Sequence, residues 1–258
     1  MKRPACSRRG HRDQRSVTPG GDVPSSYPLG PWINPRTQDT YVQNQAGPHQ
    51  GQAVLQTGAP LADATAAMIL VHGRGASAED ILSLTQEVGS PGWTYIAPQA
   101  ASAAWYPHRF TEPEQRNEPW LSSALAVIGD LVEHVSASVH LERLILLGFS
   151  QGACLTLEFS ARNARRFGGI VGLSGGLIGP DTSTRAYAGT LQGTPVFLGC
   201  SDVDPHIPAE RVTHAAQVLE RLGGSVTQRL YPGMGHTVNQ DELDFLRGMM
   251  AAVTGAPA

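Results

Sequence analysis

The chain has 258 residues, of which 41% are hydrophobic and 16% charged, a size and composition that allow one large domain or two small ones. Its net charge of −3 argues against nucleic-acid binding, and no apolar stretch approaches the roughly 20 residues of a membrane-spanning helix. Three cysteines without a C-x-x-C motif argue against a disulfide framework and a zinc site, so we expect a cytoplasmic protein.

The first 50 residues differ in composition from the rest of the chain. They are rich in Pro, Gly, Ser, Gln and Asn and carry seven basic and three acidic residues, a net charge of +4, whereas residues 51–258 have a net charge of −7. Arg8-Arg9 resembles the start of a twin-arginine signal, but Gly10-His11 follows where the apolar region of such a signal should begin. We predict that residues 1–50 form a disordered basic leader and residues 51–258 a single folded domain.

From residue 51 onward, short apolar segments alternate with longer helix-like segments. The apolar segments predict seven strands, at residues 53–56, 67–72, 93–97, 143–148, 169–173, 195–199 and 226–231. The longer segments predict five helices, at residues 77–87, 118–135, 151–166, 209–222 and 239–253. Strands separated by helices need crossover connections, so the pattern predicts an α/β fold with a mostly parallel sheet of about seven strands flanked by helices.

One pentapeptide, Gly148-Phe149-Ser150-Gln151-Gly152, has the G-x-S-x-G pattern. It directly follows a predicted buried strand and directly precedes a predicted helix, which is the context of a nucleophile elbow. The N-terminus of that helix would also favour a developing oxyanion. The context favours Ser150 as a catalytic nucleophile over the alternative, a serine that only caps the helix.

A serine nucleophile needs a base and an acid that orients the base. Among nine histidines, His236 is the best base, because it lies in a glycine-rich segment between the last predicted strand and the last predicted helix. The acid follows the strand at residues 195–199, where the pattern leaves Asp202 and Asp204 both open. We favour Asp204, because it precedes Pro205 in a turn dipeptide that can direct its side chain out of the loop.

The glycine-rich segment after the strand at residues 67–72 is the candidate oxyanion loop. The backbone N–H groups of Arg74 and Gln151 would be the two donors, although the segment could be a plain strand-to-helix turn. The Arg74 side chain could neutralise an anionic substrate or pair with Glu79 or Asp80.

The long segment at residues 100–119 is a candidate wall of the substrate crevice. Long loops in a compact α/β domain are often functional. We predict that three aromatic residues of this segment and one histidine elsewhere bind substrate: Trp105, Tyr106, Phe110 and His206. The alternative is that the three aromatic residues only pack inside the protein.

Four motifs together resemble the phospholipase/carboxylesterase family of α/β-hydrolases, which includes bacterial carboxylesterases and acyl-protein thioesterases. They are His72-Gly73-Arg74-Gly75, Gly148-Phe149-Ser150-Gln151-Gly152-Ala153, Asp204-Pro205-His206-Ile207-Pro208 and Gly233-Met234-Gly235-His236. The resemblance implies an α/β-hydrolase fold with no large lid domain, metal or cofactor. It also implies that residues 51–258 are a catalytic domain with the triad Ser150, Asp204 and His236 and the oxyanion donors Arg74 and Gln151.

The resemblance and the residues together predict a serine carboxylesterase that hydrolyses small or medium carboxylic esters. Arg74 and the segment at residues 104–110 depart from the family pattern and argue against a long-chain lipid or palmitoyl-protein substrate. A thioesterase or lysophospholipase in the same fold is one alternative, and a non-catalytic binding or sensor module is another. We expect a small-molecule ester as the binding partner, and the sequence leaves monomer and homodimer both open.

Overall fold

An eight-stranded sheet forms the centre of the fold in the computed structural model, which describes residues 30–32, 47–182 and 184–255. Its strands in chain order are β1 (Gly30–Trp32), β2 (Val54–Gly58), β3 (Ala66–Val71), β4 (Trp93–Pro98), β5 (Leu144–Phe149), β6 (Gly169–Leu173), β7 (Pro195–Ser201) and β8 (Ser225–Tyr231). Their spatial order is β1-β2-β4-β3-β5-β6-β7-β8. The β1–β2 and β2–β4 pairs are antiparallel and the other pairs are parallel. The predicted α/β fold is confirmed, and its seven strands correspond to β2–β8.

Six α-helices flank this sheet in the described part of the chain. They are α1 (Ala78–Leu82), α2 (Thr85–Val88), α3 (Trp120–Ser136), α4 (Gln151–Arg162), α5 (Ala209–Arg221) and α6 (Gln240–Thr254). The single helix predicted at residues 77–87 is two short helices, because the hydroxyls of Ser83 and Thr85 donate to backbone carbonyls at the junction. No helix in the described ranges is long and apolar enough to span a membrane.

The core has two layers, one on each face of the sheet. β5 is central and buried on both faces, so its side chains alternate between the layers. Leu144 and Leu146 pack with residues of α3, α4 and α5, whereas Ile145 and Leu147 pack with residues of α1 and α6. The carboxyl end of β5 therefore opens at the middle of the sheet edge, where ligands bind in open α/β sheets.

Two pieces of the predicted leader belong to the fold. β1 pairs with β2 at the edge of the sheet, and residues 47–50 form a turn against α3. His49 is 2% exposed, and its backbone N–H donates to Ser123 Oγ at 3.0 Å. The folded unit therefore includes residues before 51, whereas the remainder of the leader, residues 1–29 and 33–46, lies outside the described residues.

A buried carboxylate in α4 anchors the segments that flank the carboxyl edge of the sheet. Glu158 is fully buried, and its Oε2 accepts the backbone N–H of Ile178 at 3.0 Å. Its Oε1 accepts from Arg185 Nη1 at 3.2 Å. Gly179, which follows Ile178, donates its N–H to the carbonyl of Phe110 at 2.7 Å. Glu158 thereby ties α4 to residues 178–185 and, through them, to the segment at residues 100–119.

We predict that Glu158→Gln lowers the free energy of unfolding by about 3 kcal/mol, because it removes the buried charge that pairs with Arg162 at 2.7 Å and with Arg185 at 3.2 Å. Urea denaturation followed by circular dichroism measures the loss. The matched control is Glu133→Gln, because Glu133 is 61% exposed and pairs with Arg165 at 3.5 Å. The control should change the stability by less than about 0.5 kcal/mol, and equal effects of the two substitutions would contradict the anchoring role of Glu158.

Candidate active site

Ser150 lies on a sharp turn between β5 and α4, with φ 55° and ψ −119°. This left-handed conformation costs a serine about 1–3 kcal/mol and persists only where its surroundings enforce it. A Cβ at Gly148 would lie 2.3 Å from the carbonyl oxygen of Gly152, and a Cβ at Gly152 would lie 2.1 Å from that of Val71. Both positions therefore require glycine, and the tight packing holds Ser150 out at the sheet edge.

Two further side chains complete a hydrogen-bonded chain that begins at Ser150. His236 Nε2 lies 2.8 Å from Ser150 Oγ, and His236 Nδ1 lies 2.7 Å from Asp204 Oδ2. Because an ionised carboxylate can only accept, Nδ1–H donates to Asp204 and Nε2 is left to accept from the serine hydroxyl. The structure thus brings together the three residues that were predicted from the sequence as nucleophile, base and acid.

The turn that follows Asp204 holds its carboxylate. Oδ1 accepts the backbone N–H groups of His206 at 2.8 Å and Ile207 at 3.0 Å, and the side chain of Asp204 is fully buried. Burial by itself raises the pKa of Asp204, but the hydrogen bonds from His236 and the two N–H groups outweigh it and hold the pKa below its ordinary value. Asp204 is therefore ionised when it faces the imidazole.

The other acid of this loop has a different partner. Asp202 Oδ1 accepts the backbone N–H of Gly233 at 2.8 Å, and the hydroxyl of the adjacent Ser201 donates to the carbonyl of Met234. These bonds fix the glycine-rich segment that carries His236. Only Asp204 of the two acids lies within hydrogen-bond distance of the imidazole.

The candidate oxyanion donors lie on either side of Ser150. Gly73 approaches the elbow so closely that a Cβ there would lie 3.3 Å from Ser150 Cβ, which brings the Arg74 segment to the serine. Among the described residues, the backbone N–H groups of Arg74 and Gln151 have no hydrogen-bond acceptor. Both N–H groups are therefore available to an oxygen held beside Ser150.

The side chains of the same two residues hold the crevice wall. Gln151 Oε1 accepts the N–H of Trp105 at 2.8 Å, and its Nε2 donates to the carbonyl of Tyr106 at 2.8 Å. Arg74 Nη2 donates to the carbonyls of Tyr106 at 2.6 Å and His108 at 3.0 Å. Arg74 thus binds the wall, and no ion pair links it to Glu79 or Asp80 within the described ranges.

Two buried histidines support the oxyanion loop and the wall from below. His72 Nε2 accepts the N–H of Ala100 at 3.1 Å, and its Nδ1 donates to a neighbouring carbonyl at 2.7 Å. His49 Nδ1 accepts the N–H of Ala101 at 3.1 Å, and its Nε2 donates to the carbonyl of Trp105 at 2.9 Å. Each ring accepts at one nitrogen, so each is neutral, and burial lowers both pKa values. His49 was not selected from the sequence, because it lies in the predicted leader.

A cavity of about 520 Å³ opens beside the hydrogen-bonded chain. Its lining includes three of the four predicted substrate-binding residues, Tyr106, Phe110 and His206. Trp105 departs from the prediction: it is 0% exposed, its Nε1 donates to the carbonyl of His72 at 2.8 Å, and it packs beneath the cavity. An indole with a buried hydrogen-bond partner is a support for the wall and does not contact the crevice.

Six residues that were not predicted from the sequence as site residues also line this cavity. They are Pro107, His108, Arg109, Glu112, Cys154 and Ile207. Four of them lie in the long segment at residues 100–119, where only aromatic side chains were predicted to bind substrate. Across the described residues, no cluster of three or more His, Cys, Asp or Glu side chains is placed to hold a metal ion.

We predict that the protein loses stability as the pH falls below about 6.5, the ordinary pKa of histidine. His49 and His72 have lowered pKa values in the folded state, so the unfolded state binds more protons in this range and the free energy of unfolding decreases. Urea denaturation at about pH 7.5 and about pH 5.5 measures the decrease. It should be smaller in His49→Gln than in the wild type.

The control for this pH prediction is His140→Gln, because His140 is exposed and far from the oxyanion loop. This substitution should leave the difference between the two pH values unchanged. An unchanged difference in His49→Gln as well would contradict the role given to His49.

Comparisons with known proteins agree with this fold. The model of the family described as Phospholipase/Carboxylesterase matches residues 52–253. The solved structure of a phospholipase/carboxylesterase from Dyadobacter fermentans is 40% identical to this chain with a TM-score of 0.75, and the match covers 78% of this chain and 96% of that one.

Curated relatives are matched over shorter stretches. Acyl-protein thioesterase 1 of Gibberella zeae is 35% identical over 114 residues, which is 43% of this chain and 48% of that protein. The protein of the same name from Neurospora crassa is 28% identical over 170 residues, which is 62% of this chain and 64% of that protein. The matches thus span about half to two thirds of the length of these relatives. Since the family match covers most of the chain, the protein belongs to the phospholipase/carboxylesterase family of α/β-hydrolases.

Proposed function

We propose that the protein is a serine hydrolase that cleaves small or medium carboxylic esters. The observation that carries this proposal is the unbroken hydrogen-bonded chain from Ser150 through His236 to Asp204, which begins at a strained elbow. A binding or sensor module would not need a serine held in an unfavourable conformation within hydrogen-bond distance of an imidazole. The complete chain therefore favours catalysis over the non-catalytic alternative.

In the first half of the reaction, Ser150 Oγ attacks the ester carbonyl as His236 Nε2 takes its proton. The carbonyl oxygen becomes an oxyanion, which accepts hydrogen bonds from the N–H groups of Arg74 and Gln151. Each such donor is worth about 3 kcal/mol in the transition state. His236 then gives its proton to the alcohol oxygen, the bond from carbonyl carbon to alcohol breaks, and an acyl-serine remains.

In the second half, His236 accepts a proton from water while the water oxygen attacks the acyl-serine carbonyl. The same two N–H groups hold the second oxyanion. The carbonyl-to-Oγ bond breaks, His236 returns the proton to Ser150, and the carboxylic acid leaves. The ionised Asp204 stabilises the imidazolium in both halves.

The cavity supports a substrate of small or medium size. Its volume of about 520 Å³ is within the range of small-molecule sites, and its buried lining, Tyr106, Cys154 and Ile207, is mainly apolar. The names of the relatives from Gibberella zeae and Neurospora crassa favour a second candidate, a thioester substrate. The same groups would cleave a thioester. Comparing kcat/KM for an ester and a thioester of the same acyl group would show which of the two substrate classes the protein prefers. The cytoplasmic location stays a prediction from the sequence.

We predict that a fluorophosphonate labels Ser150 alone, because only this hydroxyl is paired with a base in the site. Mass spectrometry of the digested protein locates the adduct. Ser150→Ala should abolish labelling and lower kcat on a short p-nitrophenyl ester by about 10⁴- to 10⁶-fold. The control Ser90→Ala replaces an exposed serine and should retain both the labelling of Ser150 and the wild-type kcat. Labelling that persists in Ser150→Ala would contradict the proposal.

We also predict that Asp204→Asn lowers kcat by about 10⁴-fold, because an amide favours the wrong tautomer of His236. Asp202→Asn should cost less than about 10-fold, since Asp202 contacts the His236 segment only through the N–H of Gly233. Steady-state kinetics on the same ester compares the two variants. A large loss confined to Asp202→Asn would overturn the assignment of the acid.

A further inference from the structure

The cavity beside Ser150 has an apolar floor and a cationic mouth. Its most deeply buried lining residues are Cys154, Tyr106 and Ile207, which are 0%, 2% and 3% exposed. Two arginines, Arg74 and Arg109, also line the cavity, and both are exposed at its opening. A bound molecule therefore meets apolar surface at one end and guanidinium groups at the other.

The positive charge of the mouth is not neutralised by the protein. Among the described residues that line the cavity, Glu112 is the only carboxylate. It pairs with Arg116, which lies outside the cavity, at 2.9 Å. Within the described part of the chain, the Arg109 side chain forms no hydrogen bond or ion pair, and Arg74 uses only Nη2. The donors of Arg109 are consequently free to bind an external anion.

The backbone beneath Arg109 is held in place by a buried amide. Asn117 is 0% exposed, its Oδ1 accepts the N–H of His108 at 2.9 Å, and its Nδ2 donates to the carbonyl of Arg109 at 3.3 Å. The carbonyl of His108 also accepts from Arg74 at 3.0 Å. These bonds fix the position of Arg109 relative to the cavity without using its guanidinium, as expected of a site in which the charge serves a ligand.

We propose that the substrate of this site is an ester that carries an anionic group, a carboxylate or a phosphate, on the part that lies at the mouth, and that Arg109 selects it. This inference rests on the proposed function, since it names the substrate class of the same site. The apolar floor takes the uncharged part of the ester. The planar guanidinium of Arg109 offers paired donors to the oxygens of the anion, and Arg74 adds positive potential beside it.

The test compares anionic esters with neutral esters of similar size. For an anion on the acyl side, p-nitrophenyl hydrogen glutarate is compared with p-nitrophenyl pentanoate. For an anion on the alcohol side, meta-carboxyphenyl butyrate and meta-phosphonophenyl butyrate are compared with meta-carbamoylphenyl butyrate. The measured quantity is the preference, the ratio of kcat/KM for the anionic ester to that for its neutral partner.

We expect the wild type to prefer the anionic ester on one side of the scissile bond. Arg109→Gln should lower that preference about 2- to 5-fold, the range expected for an exposed charge pair, and Arg109→Glu should lower it further. Raising the salt concentration should lower the wild-type preference and leave that of Arg109→Gln less affected. The control Arg166→Gln removes a partly exposed arginine that lies outside this cavity and should keep the wild-type preference.

The outcomes separate this inference from the proposed function. Hydrolysis of the neutral esters with no preference on either side, or a preference that Arg109→Glu does not change, would overturn the inference and leave the esterase proposal intact. Failure to hydrolyse any of these esters, together with no fluorophosphonate labelling of Ser150, would overturn both.

Discussion

The close contact between the start of α4 and the end of β3 is the constraint on which the site depends. The backbone at Gly152 approaches the carbonyl of Val71 so closely that no side chain fits between them. This contact forces the chain to turn within a single residue, and that residue is Ser150. The strain of its left-handed conformation is therefore maintained by the packing of the whole sheet, and the helix behind it is buried along most of its length.

The crevice wall is organised differently, since it has no regular structure of its own along most of its length. Its backbone is held by buried polar side chains that belong to other parts of the fold. Gln151 bonds to the wall from the elbow, and His49 bonds to it from the turn at residues 47–50. Asn117 belongs to the end of the wall segment itself. Such hydrogen bonds are strong in a dry interior, so an irregular segment can be as well defined as a helix.

The sequence predicted the fold well, because hydrophobic periodicity and the order of strands and helices determine an α/β sheet. It also nominated Ser150, Asp204 and His236, since each lies in a short motif at the end of a strand. It did not predict the support of the wall. His49 is distant in sequence from the residues that it holds, and Asn117 belongs to no recognisable motif. Trp105 shows the same limit: a conspicuous aromatic residue in a loop looks like a ligand contact, and only its burial reveals a packing role.

The ionisation of Asp204 is set by two backbone N–H groups of its own turn and by the imidazole, and the side chain of Asp204 is fully buried. Its electrostatics are thereby insulated from the surface. Residues at the cavity mouth can change charge over evolution, or by design, without retuning the acid that orients the base. A family built on this arrangement can diversify its choice of substrate while the reacting groups stay the same, which makes the mouth the natural place to engineer selectivity.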